Sequence, residues 1–277
     1  MSSPSSPPPP YPLHNRQWTL AERPVGRAVR ESDFALVTRP VAPLREGELL
    51  TRTLYLSVAP VMRRYMLDGG AGEKPLQFGE VMRGRGVGVV VASRNPRFEP
   101  GDFVQGKLGW QEHSVSDGSP YFMMYKIGQR IAPLSTGIGV LGVTGFTSYL
   151  GLLDVAQMRP GDRVLVSAAA GGVGSSVAQI AKRYGASRVV GIAGGPEKCR
   201  LLVERLGYDA AIDHRADDLD KRLGELLPDG LDVMFDNVGG APLDTALRHL
   251  RPDARIALCG RISEYLGDEE QPYEIGR

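Results

Sequence analysis

The chain is 277 residues long, 42% hydrophobic and 23% charged, enough for one large domain or two ordinary ones with their own cores. Its 33 lysines and arginines against 32 acids leave a formal net charge of +1, which excludes a whole-molecule field for nucleic acid or an anionic membrane and leaves anion binding to local clusters. No apolar run reaches the roughly 18 residues of a spanning helix, and the N-terminus lacks the basic-then-apolar order of a signal peptide.

Cys199 and Cys259 offer one disulfide at most and no C-x-x-C spacing, so a cytosolic, reduced protein without a metal site is expected.

Residues 1–14, rich in Pro and Ser, lack the apolar content that offsets ordering entropy and read as a disordered tail. From Trp18 to about Ile131, short β-branched and apolar runs broken by Gly and Pro, such as Glu48 to Ser57 and Gly86 to Ser93, predict a mostly β domain over 15–140, a partly open barrel. Pro100-Gly101-Asp102 reads as a turn before Phe103-Val104-Gln105.

Past Gly142 the pattern changes. Tyr149, Leu152, Leu153 and Ala156 recur at helical spacing, and five near-continuously apolar strands follow at Arg163 to Ala168, Arg188 to Ala193, Ala210 to Asp213, Asp232 to Phe235 and Arg255 to Cys259. Such strands suit a parallel sheet covered by helices on both faces, so residues 141–277 are predicted to form a doubly wound dinucleotide-binding (Rossmann) domain. Pro196 marks a helix start, and Gly185 and Gly207 mark helix ends. Five strands fall one short of the six in a full sheet of this kind, and the chain stops at Arg277, so the last strand is expected to be missing.

The first of these strands runs into Ala169-Ala170-Gly171-Gly172-Val173-Gly174, an A-x-G-x-x-G turn that opens a helix with Val177, Ile180, Ala181 and Tyr184 on one face. Gly171 lets backbone approach a diphosphate, Gly174 lets the helix pack on the strand, and the helix N-terminus offers free N–H groups. NAD enzymes carry an acid at the end of the next strand, about 20 residues on, to bind the ribose hydroxyls. Here Val189 to Ala193 ends instead in Gly194-Gly195-Pro196-Glu197-Lys198. Lys198, with Arg200 as a second candidate, would pair with the extra phosphate of NADP(H).

These residues lie within a longer series: N-R-Q-W at 15–18, L-S-V-A-P-V-M-R at 56–63, G-F-T-S-Y-L-G-L-L-D at 145–154, A-A-A-G-G-V-G at 168–174, G-G-P-E-K-C at 194–199, D-N-V-G-G at 236–240 and C-G-R-I-S-E-Y at 259–265. In this order they resemble the zinc-free medium-chain dehydrogenase/reductase branch that holds prostaglandin reductases, plant alkenal double-bond reductases and bacterial curcumin reductase. The resemblance implies a GroES-like barrel domain followed by the nucleotide domain. It also implies NADPH-dependent reduction of the C=C bond of 2-alkenals and 2-alkenones.

By the same resemblance, Gly171, Gly172, Val173 and Gly174 hold the diphosphate and Lys198 meets the 2′-phosphate. Asn237, Cys259, Gly260, Ile262, Ser263 and Tyr265 line the cofactor, with Arg261 and Glu264 departing from the family pattern. His214 stands where a phosphate-contacting tyrosine is usual and supplies one donor in its place. Hydride addition to the β-carbon of an enone builds negative charge on the carbonyl oxygen, and Tyr265 is the expected catalytic residue that stabilises and protonates the enolate.

Ala59-Pro60-Val61-Met62-Arg63 replaces the family's D-P-Y-M-R, losing an acid and an aromatic near the expected substrate mouth, and Thr144 stands in a hinge that usually holds proline. The implied partners are a small enone or enal substrate, no nucleic acid and no membrane. The homodimer of the family is built partly through the strand this chain is expected to lack. Two other readings stand beside the enone reductase: a truncated nucleotide-binding remnant with impaired turnover, and a quinone reductase on the same fold.

Overall fold

The computed structural model describes residues 14–67, 74–128 and 132–264. The chain divides into two compact units, Met1–Ile138 and Gly139–Arg277. The predicted tail lies outside the described residues, apart from His14, which opens the first strand.

In the first unit, β1 (His14–Leu20) pairs antiparallel with β2 (Phe34–Pro40). A five-stranded antiparallel sheet follows, built from β3 (Leu49–Leu56), β4 (Arg85–Ser93), β5 (Phe103–Lys107), β6 (His113–Ser116) and β7 (Tyr125–Lys126) in the order β6-β3-β4-β5-β7. Its edges β6 and β7 do not pair with each other, so the sheet is open. Alternate residues of β5 are buried, as a half-buried strand requires, and Leu49, Val90, Phe98, Val104, Leu108 and Met124 form the core beneath.

A second cluster joins Leu20 to Met62 and Met66 of the short helix α1 (Met62–Met66), with Leu76 and Met82. Fully burying one such side chain stabilises the fold by about 1.5–3 kcal/mol. Two bulges interrupt the β3–β4 ladder, and Gly88 lies so close to β3 that a Cβ there would sit 2.6 Å from the Arg52 carbonyl.

The second unit opens with α2 (Val143–Leu150), which continues into a π-helical turn at Gly151–Val155. A Cβ at Gly151 would meet the Phe235 ring at 2.7 Å, so the missing side chain is what lets the widened turn settle on the sheet. The sheet holds β8 (Arg163–Val166), β9 (Arg188–Ala193), β10 (Ala210–Asp213), β11 (Leu231–Asp236) and β12 (Leu250–Leu258), all parallel, in the order β10-β9-β8-β11-β12. Helices α3 (Gly174–Arg183), α4 (Pro196–Arg205), α5 (Leu219–Leu226) and α6 (Gly240–Leu247) connect them.

Both faces of this sheet are covered, which is why its strands read as continuous apolar runs. Val164 and Val166 pack into one core cluster with Val177, Ala181 and Leu202, whereas Leu165 between them packs into another with Leu223, Leu227 and Leu243. The doubly wound parallel sheet is therefore as the sequence predicts, and Gly185 and Gly207 take the left-handed φ of helix ends, +87° and +81°.

Two details differ. β12 starts at Leu250, not Arg255, because its polar residues face outward on an edge strand, where Arg251 pairs with Asp232. On α3, Val177, Ala178 and Ala181 turn inward, while Tyr184 is 44% exposed and its hydroxyl lies 3.2 Å from that of Tyr149.

The sheet order reverses beside β8: the chain steps outward through β9 and β10, then returns to place β11 on the other side. In open sheets of this kind, ligands bind at the carboxyl ends of the strands at such a switch point. No helix of the described residues is long and apolar enough to cross a membrane.

Candidate functional site

The glycine turn sits at the carboxyl end of β8. Ala168 adopts a left-handed φ of +46°, a conformation that disfavours a side chain, and its carbonyl accepts the Gly171 N–H at 2.9 Å. The Ala169 N–H donates to Ile192 of β9 at 2.9 Å and fastens the turn to the neighbouring strand. Two residues outside the motif brace its far end: the buried Tyr208 hydroxyl donates to the Gly174 carbonyl at 2.7 Å, and Ser148 Oγ of α2 lies 2.8 Å from the Val173 carbonyl. Burial pushes the pKa of the Tyr208 phenol up, so it remains a donor.

The glycines divide into two roles. A Cβ on Gly174 would lie 2.6 Å from both the Ala168 carbonyl oxygen and the Ala169 Cα, so glycine there lets α3 close on the turn. A Cβ on Gly171 would meet the Ala168 carbonyl oxygen alone, at 3.1 Å, leaving its other side open. Gly172 packs on Thr144, whose methyl would stand 3.2 Å from a Cβ at that position, and this gives the residue in place of the hinge proline a contact with the turn. The N–H groups of Gly172, Val173 and Gly174 have no hydrogen-bond partner among the described residues. Unpaired N–H groups at a helix N-terminus are the donors an anion needs.

A pocket of about 440 Å³ opens against this turn. Gly171 and Ala168 form one wall, Gly194, Lys198 and His214 a second, and Val238, Pro242 and Ile262 a third. It thus reaches across the ends of β9, β8 and β11, over the switch point. Of the residues expected at the cofactor, Gly171, Lys198, His214 and Ile262 line it directly, whereas Gly172, Val173 and Gly174 follow Gly171 without lining it and Arg200 does not line it.

Asn237, Gly260 and Ser263 stand behind the third wall. The Asn237 amide donates to the Ser167 carbonyl at 2.8 Å, Gly260 approaches Asn237 so closely that a Cβ would sit 3.1 Å from its carbonyl oxygen, and Ser263 donates through Oγ to Val238 at 2.6 Å. The Cys259 N–H donates to the Asp236 carbonyl at 2.8 Å, and its side chain is exposed. Tyr265, the expected catalytic residue, lies outside the described residues.

Asp236, which the sequence reading passed over, organises this wall. It is fully buried, and its carboxylate accepts from Ser167 Oγ at 2.6 Å, the Val238 N–H at 3.1 Å and the Gly239 N–H at 2.8 Å. A buried charge held by several donors is expensive to leave unmatched, so the three bonds fix the loop after β11 against the end of β8. The available signal was an acid closing the otherwise apolar strand Leu231–Asp236, directly before Gly239-Gly240.

Asp213 occupies the end of β10, in register with Ala193 of β9. Its carboxyl is held below the usual range by the Gly195 and Arg215 backbone N–H groups, both bonded to Oδ1 at 2.8 and 3.0 Å, with a smaller effect from the His214 and Arg215 side chains. Cys199 is half-buried, and burial pushes its thiol pKa up, against a thiolate role.

Two family profiles match the chain, "N-terminal domain of oxidoreductase" over residues 16–124 and "Zinc-binding dehydrogenase" over 172–275. The NADPH-dependent curcumin reductase of Escherichia coli is 44% identical over 258 residues, spanning 93% of this chain and 73% of that protein. The chain belongs to the zinc-independent medium-chain dehydrogenase/reductase family of NADP-dependent oxidoreductases. Other relatives in this family include prostaglandin reductase 1 of Oryctolagus cuniculus, 40% identical over 93% of this chain and 71% of the relative. The crystal structure of CurA from Vibrio vulnificus in complex with NADPH superposes with a TM-score of 0.85 at 42% identity, covering 92% of this chain and 74% of that one.

Although the second profile is described by zinc, no group of three or more His, Cys, Asp or Glu side chains among the described residues could hold a metal ion. The fold class, a β-rich domain followed by a parallel-sheet nucleotide domain, is shared with these structures.

Proposed function

We propose that the protein reduces the C=C bond of α,β-unsaturated aldehydes and ketones with NADPH. The observation that carries the cofactor half of this reading is the pocket at the switch point. Its glycine turn leaves three N–H groups unpaired, and Lys198 and His214 face it where an NAD enzyme would place an acid. The names of the relatives, curcumin, prostaglandin and 2-alkenal reductases, support the substrate half.

NADPH, when bound, supplies the hydride. The turn at 169–174 would hold its diphosphate, Lys198 and His214 its 2′-phosphate, and the Asn237 to Ser263 wall bounds the opposite end of the pocket. Hydride addition to the β-carbon would build negative charge on the carbonyl oxygen; the Tyr265 hydroxyl would hydrogen-bond that oxygen, and the enolate would then take a single proton at its α-carbon from Tyr265, which solvent reprotonates.

The test is NADPH consumption by the purified chain with a panel of alkenals, alkenones and quinones. Turnover of the first two classes is expected; quinone turnover with enones untouched, or NADPH binding with none of the panel reduced, overturns the reading. Tyr265→Phe is expected to lower kcat by about 10²-fold while leaving the Kd for NADPH unchanged. An unaltered kcat removes Tyr265 from the mechanism.

A further inference from the structure

Gly194 directly follows β9, and the space a side chain would fill there is already occupied. A Cβ on it would lie 2.8 Å from His214 Nε2 and 2.8 Å from Arg215 Nε. The imidazole and the guanidinium therefore converge over one glycine, from the loop that follows β10. Lys198, in the first turn of α4, faces the same pocket.

The side chains of Lys198, His214 and Arg215 make no hydrogen bond or ion pair with the described residues, although Asp213 is adjacent in the chain. Its Oδ1 is taken by two backbone N–H groups, which makes Asp213 the shaper of the turn that aims Arg215. Three donors of positive or titratable charge thus meet at one edge of the pocket; Asp213 acts on His214 and Arg215 through charge but accepts no hydrogen bond from either side chain. Neither Arg200, the second cation suggested by the sequence, nor Arg215 lines that pocket, but Arg215 approaches its wall at Gly194.

We propose that Arg215 is a specificity-determining residue, forming with Lys198 and His214 a clamp around Gly194 that selects a dinucleotide bearing a phosphomonoester on its adenosine ribose. This rests on the NADPH reading and extends it. Arg215 flanks the pocket and does not line it, and its exposed side chain carries a planar fork that a phosphate can accept from in two places. Gly194 belongs to the device, because any side chain at that position would displace both donor tips.

Calorimetric titration of the full chain with adenosine 2′,5′-bisphosphate and with 5′-AMP tests this without turnover. Arg215→Gln is expected to weaken the bisphosphate about tenfold, the effect of one charge-assisted hydrogen bond, and to leave 5′-AMP unchanged. Arg215→Lys should recover part of the loss. Gly194→Ala should weaken the bisphosphate selectively with Lys198 intact.

If Arg215→Gln binds both ligands as the unaltered chain does while Lys198→Gln loses the bisphosphate, the role of Arg215 is overturned and the NADPH reading stands. If the unaltered chain does not prefer the bisphosphate, both fall together.

Discussion

Two buried side chains show how differently the interior treats polar groups. Asp236 has donors on both carboxylate oxygens, and Asp236→Ala strands the Ser167 hydroxyl and the Val238 and Gly239 N–H groups. The expected loss is about 3 kcal/mol of stability, read from the denaturant midpoint, with a weaker NADPH Kd because the wall it holds lines the pocket. His113 is the reverse case, 8% exposed with neither ring nitrogen hydrogen-bonded. Burial, opposed by Glu112 and reinforced by Arg52, lowers its pKa, so the folded chain keeps the imidazole neutral while the unfolded chain protonates it near its ordinary value. The unfolded state then binds more protons, and this contribution to stability is full above about pH 6.5 and is lost as pH falls toward the lower folded value. Midpoints measured from about pH 8 to pH 5 should fall less steeply for His113→Gln than for the unaltered chain; parallel profiles would contradict this. No pattern of spacing marks His113 in the sequence, because its burial depends on Asn15, ninety-eight residues away, whose amide donates to its carbonyl.

Among the elements, the strand, turn and helix from Arg163 to Arg183 were the most legible. The apolar run, the A-x-G-x-x-G turn and the amphipathic start of α3 all point to one local structure, and local agreement of this kind survives tertiary packing. Gly174→Ala is expected to be damaging, since the new Cβ meets backbone atoms at 2.6 Å that cannot rotate away. A loss of about 2–3 kcal/mol together with lost NADPH binding is predicted, and a variant with unchanged melting and affinity would refute the packing role. β12 was less legible: its polar residues break the apolar pattern, and only pairing of Leu250 with Leu231 across the sheet extends it. The π-helical turn at Gly151–Val155 was not legible at all, and the close approach of Gly151 to the Phe235 ring joins residues far apart in the chain.

At the scale of the whole molecule, a ligand that binds the folded chain alone must stabilise it. NADPH at about 100 times its Kd should add about 2.7 kcal/mol and raise the Tm, and NADH at the same concentration should do so less; equal shifts would contradict the cofactor preference. The sequence by itself determined the order of the two domains, the doubly wound parallel sheet and the position of the glycine turn. These follow from period, punctuation and motif over stretches short enough for local physical chemistry to govern. Only the tertiary structure decided that Asp236 ties three strand ends into one wall, that Tyr208 and Ser148 brace the glycine turn, and that His214 and Arg215 converge over Gly194. Each of these depends on residues brought together by the crossover of a parallel sheet, and that juxtaposition has no signature in linear spacing.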